Sequence, residues 1–233
     1  MDGVEGMEGT DGGVRELPAA GPVRLWLVDT AGGAAPGAAP AGVLDAEESR
    51  RAAAFHFDRH RVRYVAAHLA LRAVLGERLG RAPGDVRFTR LPCPGCGGPH
   101  GRPALADVPG PHFSLSHSGD LALVALAPAP VGADVEELPS AEIAEELTAV
   151  LHPRERAELA ALAEPEERRL AVARAWVRKE AYLKGLGTGL SRGTDRDYVG
   201  VRADSPGSPD GWSLRDVPMP EGYTAAVALG PGT

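Results

Sequence analysis

The chain has 233 residues, 43% of them hydrophobic and 24% charged, with a formal net charge of -7. That length can bury a core in one large domain or two small ones. The acidic balance leaves no chain-wide footprint for nucleic acid, and no run of about 18 apolar residues offers a membrane-spanning helix.

The first residues, MDGVEGMEGTDGG, are acidic and glycine-rich and lack the basic and apolar parts of a signal peptide. A cytoplasmic protein is expected, with residues 1–21 as a disordered tail. VRLWLVD (Val23–Asp29) alternates apolar and polar side chains and reads as a strand, followed by a Gly/Ala/Pro loop. Asp45 with Glu48 three residues on is a capping box. Val65, Leu69 and Ala73, with Leu71 and Leu75, keep helical spacing up to Gly80, as one long helix or two. VRFTRL reads as a short strand and CPGCGGPHGRP as a turn-rich excursion. FSLSHSG leads into DLALVALAP, a buried strand, and VGADVEEL is expected to return as its hairpin partner. From Ser140 the pattern is helical, split by Pro153 and Pro165 into about three helices. YVGVRA, GWSLRDV and YTAAVAL are strand-like. Strand, helix and strands occur in this order once in residues 22–130 and again in 131–233. The expected fold is therefore α+β with two similar halves, not alternating βαβ units.

Five clusters carry potential chemistry. Asp134 and Glu136 share one face of a strand, with Val131, Ala133 and Val135 on the other. Such a pair is either a solvated sheet edge or an oxygen-ligand site for a hard cation such as Mg²⁺. Trp176, Glu180 and Lys184 form one helical stripe with Lys179 about 100° round from Glu180; a surface ion pair and a working site both fit. Ser114, Ser116 and His117 could cradle phosphate or could be a serine-rich turn. Arg50, Arg51, Arg59, Arg61 and Arg63 suit phosphate, or form a solvated basic face. Cys93, Cys96 and His100 could supply three zinc ligands, but no fourth is evident, and a structured turn is favoured.

The order GRP (101–103), FSLSHSG (113–119), VGADVE (131–136) and WVRKEAYLK (176–184) resembles the 4′-phosphopantetheinyl transferases over roughly residues 43–229. The likeness is to the larger, monomeric surfactin-synthetase type, with two pseudo-twofold-related subdomains, each a small mainly antiparallel sheet packed with helices. The resemblance implies Mg²⁺-dependent transfer of the 4′-phosphopantetheine arm of coenzyme A to a serine of an apo acyl or peptidyl carrier protein, releasing 3′,5′-ADP. It implies metal ligation by Asp134, Glu136 and Glu180. Gly101, Arg102 and Pro103 would line the CoA nucleotide, Ser116 and His117 would bind CoA phosphate, and Arg51, Arg59 and Arg63 would meet its 3′-phosphate or adenine end. Lys179 and Lys184 would face the pyrophosphate, with Glu180 as base and Lys184 at the leaving phosphate. Glu155 is a further acid expected to reach the site. Glu48 departs from the pattern, falling near a position where some relatives carry a basic residue. Carrier docking is expected on apolar residues of the 140–165 helices and on basic residues near Arg178, Lys179 and Lys184. High-GC composition and the family type point to polyketide or nonribosomal peptide pathways. The alternative is a non-catalytic CoA- or nucleotide-binding protein on the same fold. Neither nucleic acid nor membrane is an expected partner.

Overall fold

The computed structural model describes residues 13–32 and 42–232. Residues 1–12 of the expected tail and most of the Gly/Ala/Pro loop lie outside the described residues. The remainder of the tail is ordered, which corrects the expectation. Val14–Ala20 form strand β1, which turns through Gly21 and Pro22 into β2 (Val23–Asp29). Gly21 has φ 68°, the left-handed geometry such a tight turn requires. Composition concealed this strand because it is an edge. Pro18, with Arg15 and Glu16 earlier in the strand, suits an outer strand, and the register shifts between Leu17 and Ala20 around the proline.

The hairpin expected between residues 121–127 and 131–137 is also corrected. β6 (Leu121–Ala127) lies inside a sheet of order β1-β2-β6-β5, where β5 is His112–Ser118. Both edges of β6 are occupied, and its hairpin partner is β5, across a Gly119–Asp120 turn. β7 (Val131–Glu137) instead opens a second sheet of order β7-β9-β8, built with β8 (Ser213–Val217) and β9 (Tyr223–Leu229). A separate ribbon pairs β3 (Phe88–Arg90) with β4 (Pro103–Leu105). All these pairings are antiparallel.

The helical expectations divide cleanly. The first region is two helices, α1 (Ala46–Ala53), opened by the Asp45–Glu48 capping box, and α2 (Asp58–Leu79), ended by left-handed Gly80. α2 packs Ala67, Leu71, Val74 and Leu75 onto Trp26, Val28, Val124 and Phe113 of the first sheet. The second region is α3 (Ala141–Ala149), α4 (Pro153–Ala160) and α5 (Pro165–Leu186). No described helix is long and apolar enough to cross a membrane.

Residues 198–203 are not a strand. Their backbone carbonyls instead accept from cations of α5: the buried Arg178 Nη1 donates to Gly200 and Arg202, both at 3.0 Å, and the half-buried Arg174 Nη1 to Val201 at 2.9 Å.

The two sheets meet at β5 and β7. Val23, Leu25, Leu123 and Ala125 of the first share one apolar cluster with Val131, Ala133, Val135 and Val227 of the second. Alternate serines on β5 tie the junction. Ser114 Oγ accepts from the Ala133 N–H at 3.0 Å, Ser118 Oγ accepts from the Glu137 N–H at 3.2 Å, and Ser116 Oγ donates to Asp134 at 2.8 Å. α5 lies directly on β7. A Cβ on Gly132 would stand 1.9 Å from the Ala181 carbonyl and 2.4 Å from the Gly185 nitrogen, so only glycine lets these backbones approach.

Candidate active site

The close seating of α5 places its 180–184 turn over Asp134. On this half of the helix Val177, Arg178, Lys179, Ala181, Tyr182, Leu183 and Gly185 are buried, and the stripe of Trp176, Glu180 and Lys184 is half-buried. Lys184 Nζ donates to Asp134 Oδ1 at 2.5 Å and to Ser116 Oγ at 2.9 Å. Asp134 is fully buried, and its second oxygen, Oδ2, has no hydrogen-bond partner. Burial raises the Asp134 carboxyl's affinity for its proton, against the opposing pull of Lys184 and Ser116. Burial and then the Asp134 charge raise those of Glu136 and Glu180. Three mutually repelling acids thus share one surface with a single half-exposed ammonium among them. Their oxygens do not close to ligating distance as a trio: among the described residues, only Cys93, Cys96 and His100 bring three candidate ligand atoms within 4.8 Å of one another.

Lys184 also lines a cavity of about 990 Å³ between α2, the β3–β4 ribbon, β5 and the end of α5. Gly101, Arg102, Pro103 and His117 line it as well. Arg102 Nη1 donates to the Gly185 carbonyl at 3.1 Å, while its Nε is buried without a partner. Gly187, at φ 84°, leaves room for the Arg102 backbone, which a Cβ would approach to 3.0 Å. His117 binds protons less readily than a free imidazole, through burial and then the Lys184 charge. Adjacent strand residues face opposite ways, so His117 faces the cavity and Ser116 faces β7.

Several expected site residues are elsewhere. Lys179 is fully buried and pairs with both oxygens of Glu155 at 3.0 and 2.9 Å, while also donating to the Asp197 carbonyl. Glu155 in turn caps α4 and accepts from the Val199 N–H at 2.6 Å. Neither side chain faces the cavity, and Arg178, bonded to Asp216 and fully buried, offers nothing to a docking partner. Arg63 pairs with Asp120 at 2.5 Å. Arg59 stacks over Phe57 and Arg51 lies over Phe55; both are exposed and neither lines the cavity, although the Arg51 charge reaches Tyr64. Glu48 is acidic for a structural reason. With Asp45 it pairs with the buried Arg72, at 2.7 and 3.0 Å.

Sequence reasoning missed the cavity's aromatic and basic walls. Tyr64 and His68 stack with ring centroids 3.9 Å apart, Phe88 and Phe113 also line the cavity, and Arg90 Nη1 donates to the Gly101 carbonyl at 3.2 Å. The i,i+4 spacing of Tyr64 and His68 was the available signal. Burial holds His68 neutral, its pKa lowered to about 4.

The cavity is wide, with an unpartnered guanidinium nitrogen and a lysine next to clustered acids, an arrangement that can take a large anionic ligand at its basic wall. Residues 130–219, which hold β7, α5 and β8, match the family model of the 4′-phosphopantetheinyl transferase superfamily. The 4′-phosphopantetheinyl transferase HetI of a Nostoc species is 32% identical over 197 residues, covering 81% of this chain and 79% of that one. The chain belongs to the 4′-phosphopantetheinyl transferase superfamily. The 4′-phosphopantetheinyl transferase Sfp of Bacillus subtilis is similar too, at 26% identity over 79% of this chain and 81% of its own. The 197-residue match to HetI is longer than the region matched by the family model, residues 130–219.

Proposed function

We propose that this protein transfers the 4′-phosphopantetheine arm of coenzyme A to a serine of an apo acyl or peptidyl carrier protein, releasing 3′,5′-ADP. The observation that carries the reading is Lys184, which joins the cavity to the acid cluster through its bond to Asp134. We read the sheets as the cores of two related halves, 22–130 and 131–233, in the manner of the larger monomeric type, and the cellular setting as polyketide or nonribosomal peptide synthesis in the cytoplasm.

In this reading the nucleotide end of CoA occupies the cavity, with Arg102 and Arg90 supplying charge and Tyr64, Phe88 and Phe113 supplying flat apolar surface. The donor set fits Mg²⁺: all-oxygen ligands, mutually repelling, with an orphaned buried oxygen on Asp134. Asp134, Glu136 and Glu180 would hold the ion, which when bound would neutralise charge on the pyrophosphate. Lys184 stabilises the leaving phosphate. The carrier serine oxygen bonds to the phosphorus bearing the pantetheine arm, and the bridging P–O bond breaks toward 3′,5′-ADP. The serine proton passes to Glu180, directly or through a water. Positioning and charge stabilisation supply the catalysis, as in other phosphoryl transfers. Carrier docking involves exposed Ile143 and Val150 of the 140–165 region, with Lys184 as the accessible cation.

The reading is tested by intact mass of a fatty-acid-type and a peptide-synthetase-type apo carrier after incubation with CoA and Mg²⁺. A gain of one phosphopantetheine arm on at least one is expected. No gain on either carrier, with CoA bound, would support the non-catalytic alternative instead.

A further inference from the structure

The loop that delivers Arg102 to the cavity contains a second constellation, of different chemistry. Cys93 Sγ, Cys96 Sγ and a ring nitrogen of His100 lie within 4.8 Å of one another. Cys96 Sγ and His100 Nε2 are 3.0 Å apart. A tetrahedral ion with bonds of about 2.3 Å to sulfur and 2.0 Å to nitrogen needs ligand separations of about 3.5–3.8 Å, so small side-chain rotations suffice. We propose that Cys93, Cys96 and His100 bind a zinc ion, with the fourth position left to water, and that this ion fixes the loop carrying Gly101 and Arg102.

The loop is constructed around those three atoms. The Cys93 N–H donates to the Gly98 carbonyl and the Gly97 N–H to the Cys93 carbonyl, both at 2.7 Å, closing a tight turn in which Gly97 takes φ 73°. The Gly98 N–H donates to Cys96 Sγ at 3.4 Å. Amide donors of this kind support metal-bound thiolates. Gly98 also leaves the ligands room: a Cβ there would meet the His100 ring at 3.0 Å and Cys96 Sγ at 3.3 Å. Two thiols and an imidazole favour zinc over Mg²⁺, which prefers oxygen. Binding releases the two thiol protons to solvent. Cys93 is buried, while Cys96 and His100 are exposed, so the ion has an entry path and an open position.

Its consequence lies one residue further on. Beyond the turn, the Gly101 N–H donates to the Leu91 carbonyl and the Leu91 N–H to the Arg102 carbonyl, each at 3.0 Å. These bonds continue the β3–β4 ribbon up to the cysteines. His100, Gly101 and Arg102 all line the cavity. An ion on His100 therefore sets where the Arg102 backbone leaves the turn. The metal claim stands apart from the transferase reading; only its benefit to CoA rests on that reading.

The test is zinc content of the full chain, purified without a polyhistidine tag and dialysed against a weak chelator, followed by Co²⁺ substitution. About one zinc per chain is expected, with a thiolate-to-cobalt charge-transfer band and the strong visible bands of a tetrahedral site. Cys96→Ser and His100→Ala, both exposed and so tolerated by the fold, should each weaken retention at least about tenfold, whereas Asp134→Ala should retain zinc. Stripping the metal should speed amide exchange over residues 91–102. Zinc no higher than in a Cys93→Ser/Cys96→Ser variant, or a Cys93–Cys96 disulfide in the freshly purified protein, would overturn the proposal. Unchanged exchange after stripping would remove the loop-fixing role.

Discussion

Lys179, Glu180 and Lys184 stand together in the sequence, but they have separate environments. Lys179 closes a buried pair with Glu155, whereas Lys184 leans over Asp134 at the cavity. Removing one member of a buried pair strands the other charge, at a cost of about 3–5 kcal/mol. Lys179→Ala should show that loss in chemical denaturation, with CoA affinity unchanged in whatever fraction stays folded. Lys184→Ala should instead lower transfer about a hundredfold or more, read as kcat in the carrier-modification assay. Helical angles separated Lys179 from the stripe at the sequence level, but no pattern could announce Glu155, 24 positions away, as its buried partner. His68 offers a pH test. Its folded pKa of about 4 lies below the free value of 6.5, so the unfolded chain binds more protons between these limits. Its contribution to stability is present above about pH 6.5 and falls as pH drops toward 4. The wild type should lose roughly 2 kcal/mol more than His68→Gln between pH 7 and pH 5, measured by urea unfolding; equal losses would place His68 outside this linkage.

At the scale of elements, the seating of α5 on β7 depends on Gly132 and Gly185. A Cβ at Gly185 would press on Trp212 at 2.4 Å, and one at Gly132 would collide with the Ala181 carbonyl. Gly132→Ala must lift helix from strand. Overpacking of this kind costs about 1–3 kcal/mol or more, so a lower Tm is expected, together with lost transfer because Asp134 and Lys184 separate. A variant with wild-type Tm and turnover would show that the contact is dispensable. The strongly patterned helices, their caps and the period-two face of β7 were legible because those signals are local. Strand β1 was hidden by edge-strand composition, and the partnership of β5 with β6 was hidden because the serine-rich HFSLSHS resembles a turn, which left β7 as the apparent hairpin partner. Residues 198–203 have strand composition, but cations that arrive from α5 take up their carbonyls.

Across the whole molecule, the order of four short motifs made the family legible, while the geometry of the cavity was not. Ser114 and Ser116 suited either a phosphate cradle or a serine-rich turn, yet with Ser118 they bond one sheet to the other. Three of the expected phosphate-binding arginines lie outside the cavity, and aromatic side chains from α2, β3 and β5 line it instead. Long-range convergence of this kind has no sequence period. It places Asp134 of one sheet, and Lys184 of the helix on it, beside the cavity of the other, and the proposed transfer draws on both. The most direct test compares the wild type with Glu180→Gln in the intact-mass assay, with CoA binding measured by calorimetry on each. The wild type should add one arm to the carrier, and Glu180→Gln should bind CoA within about tenfold of wild type yet add none. Transfer by Glu180→Gln at the wild-type rate would contradict the account.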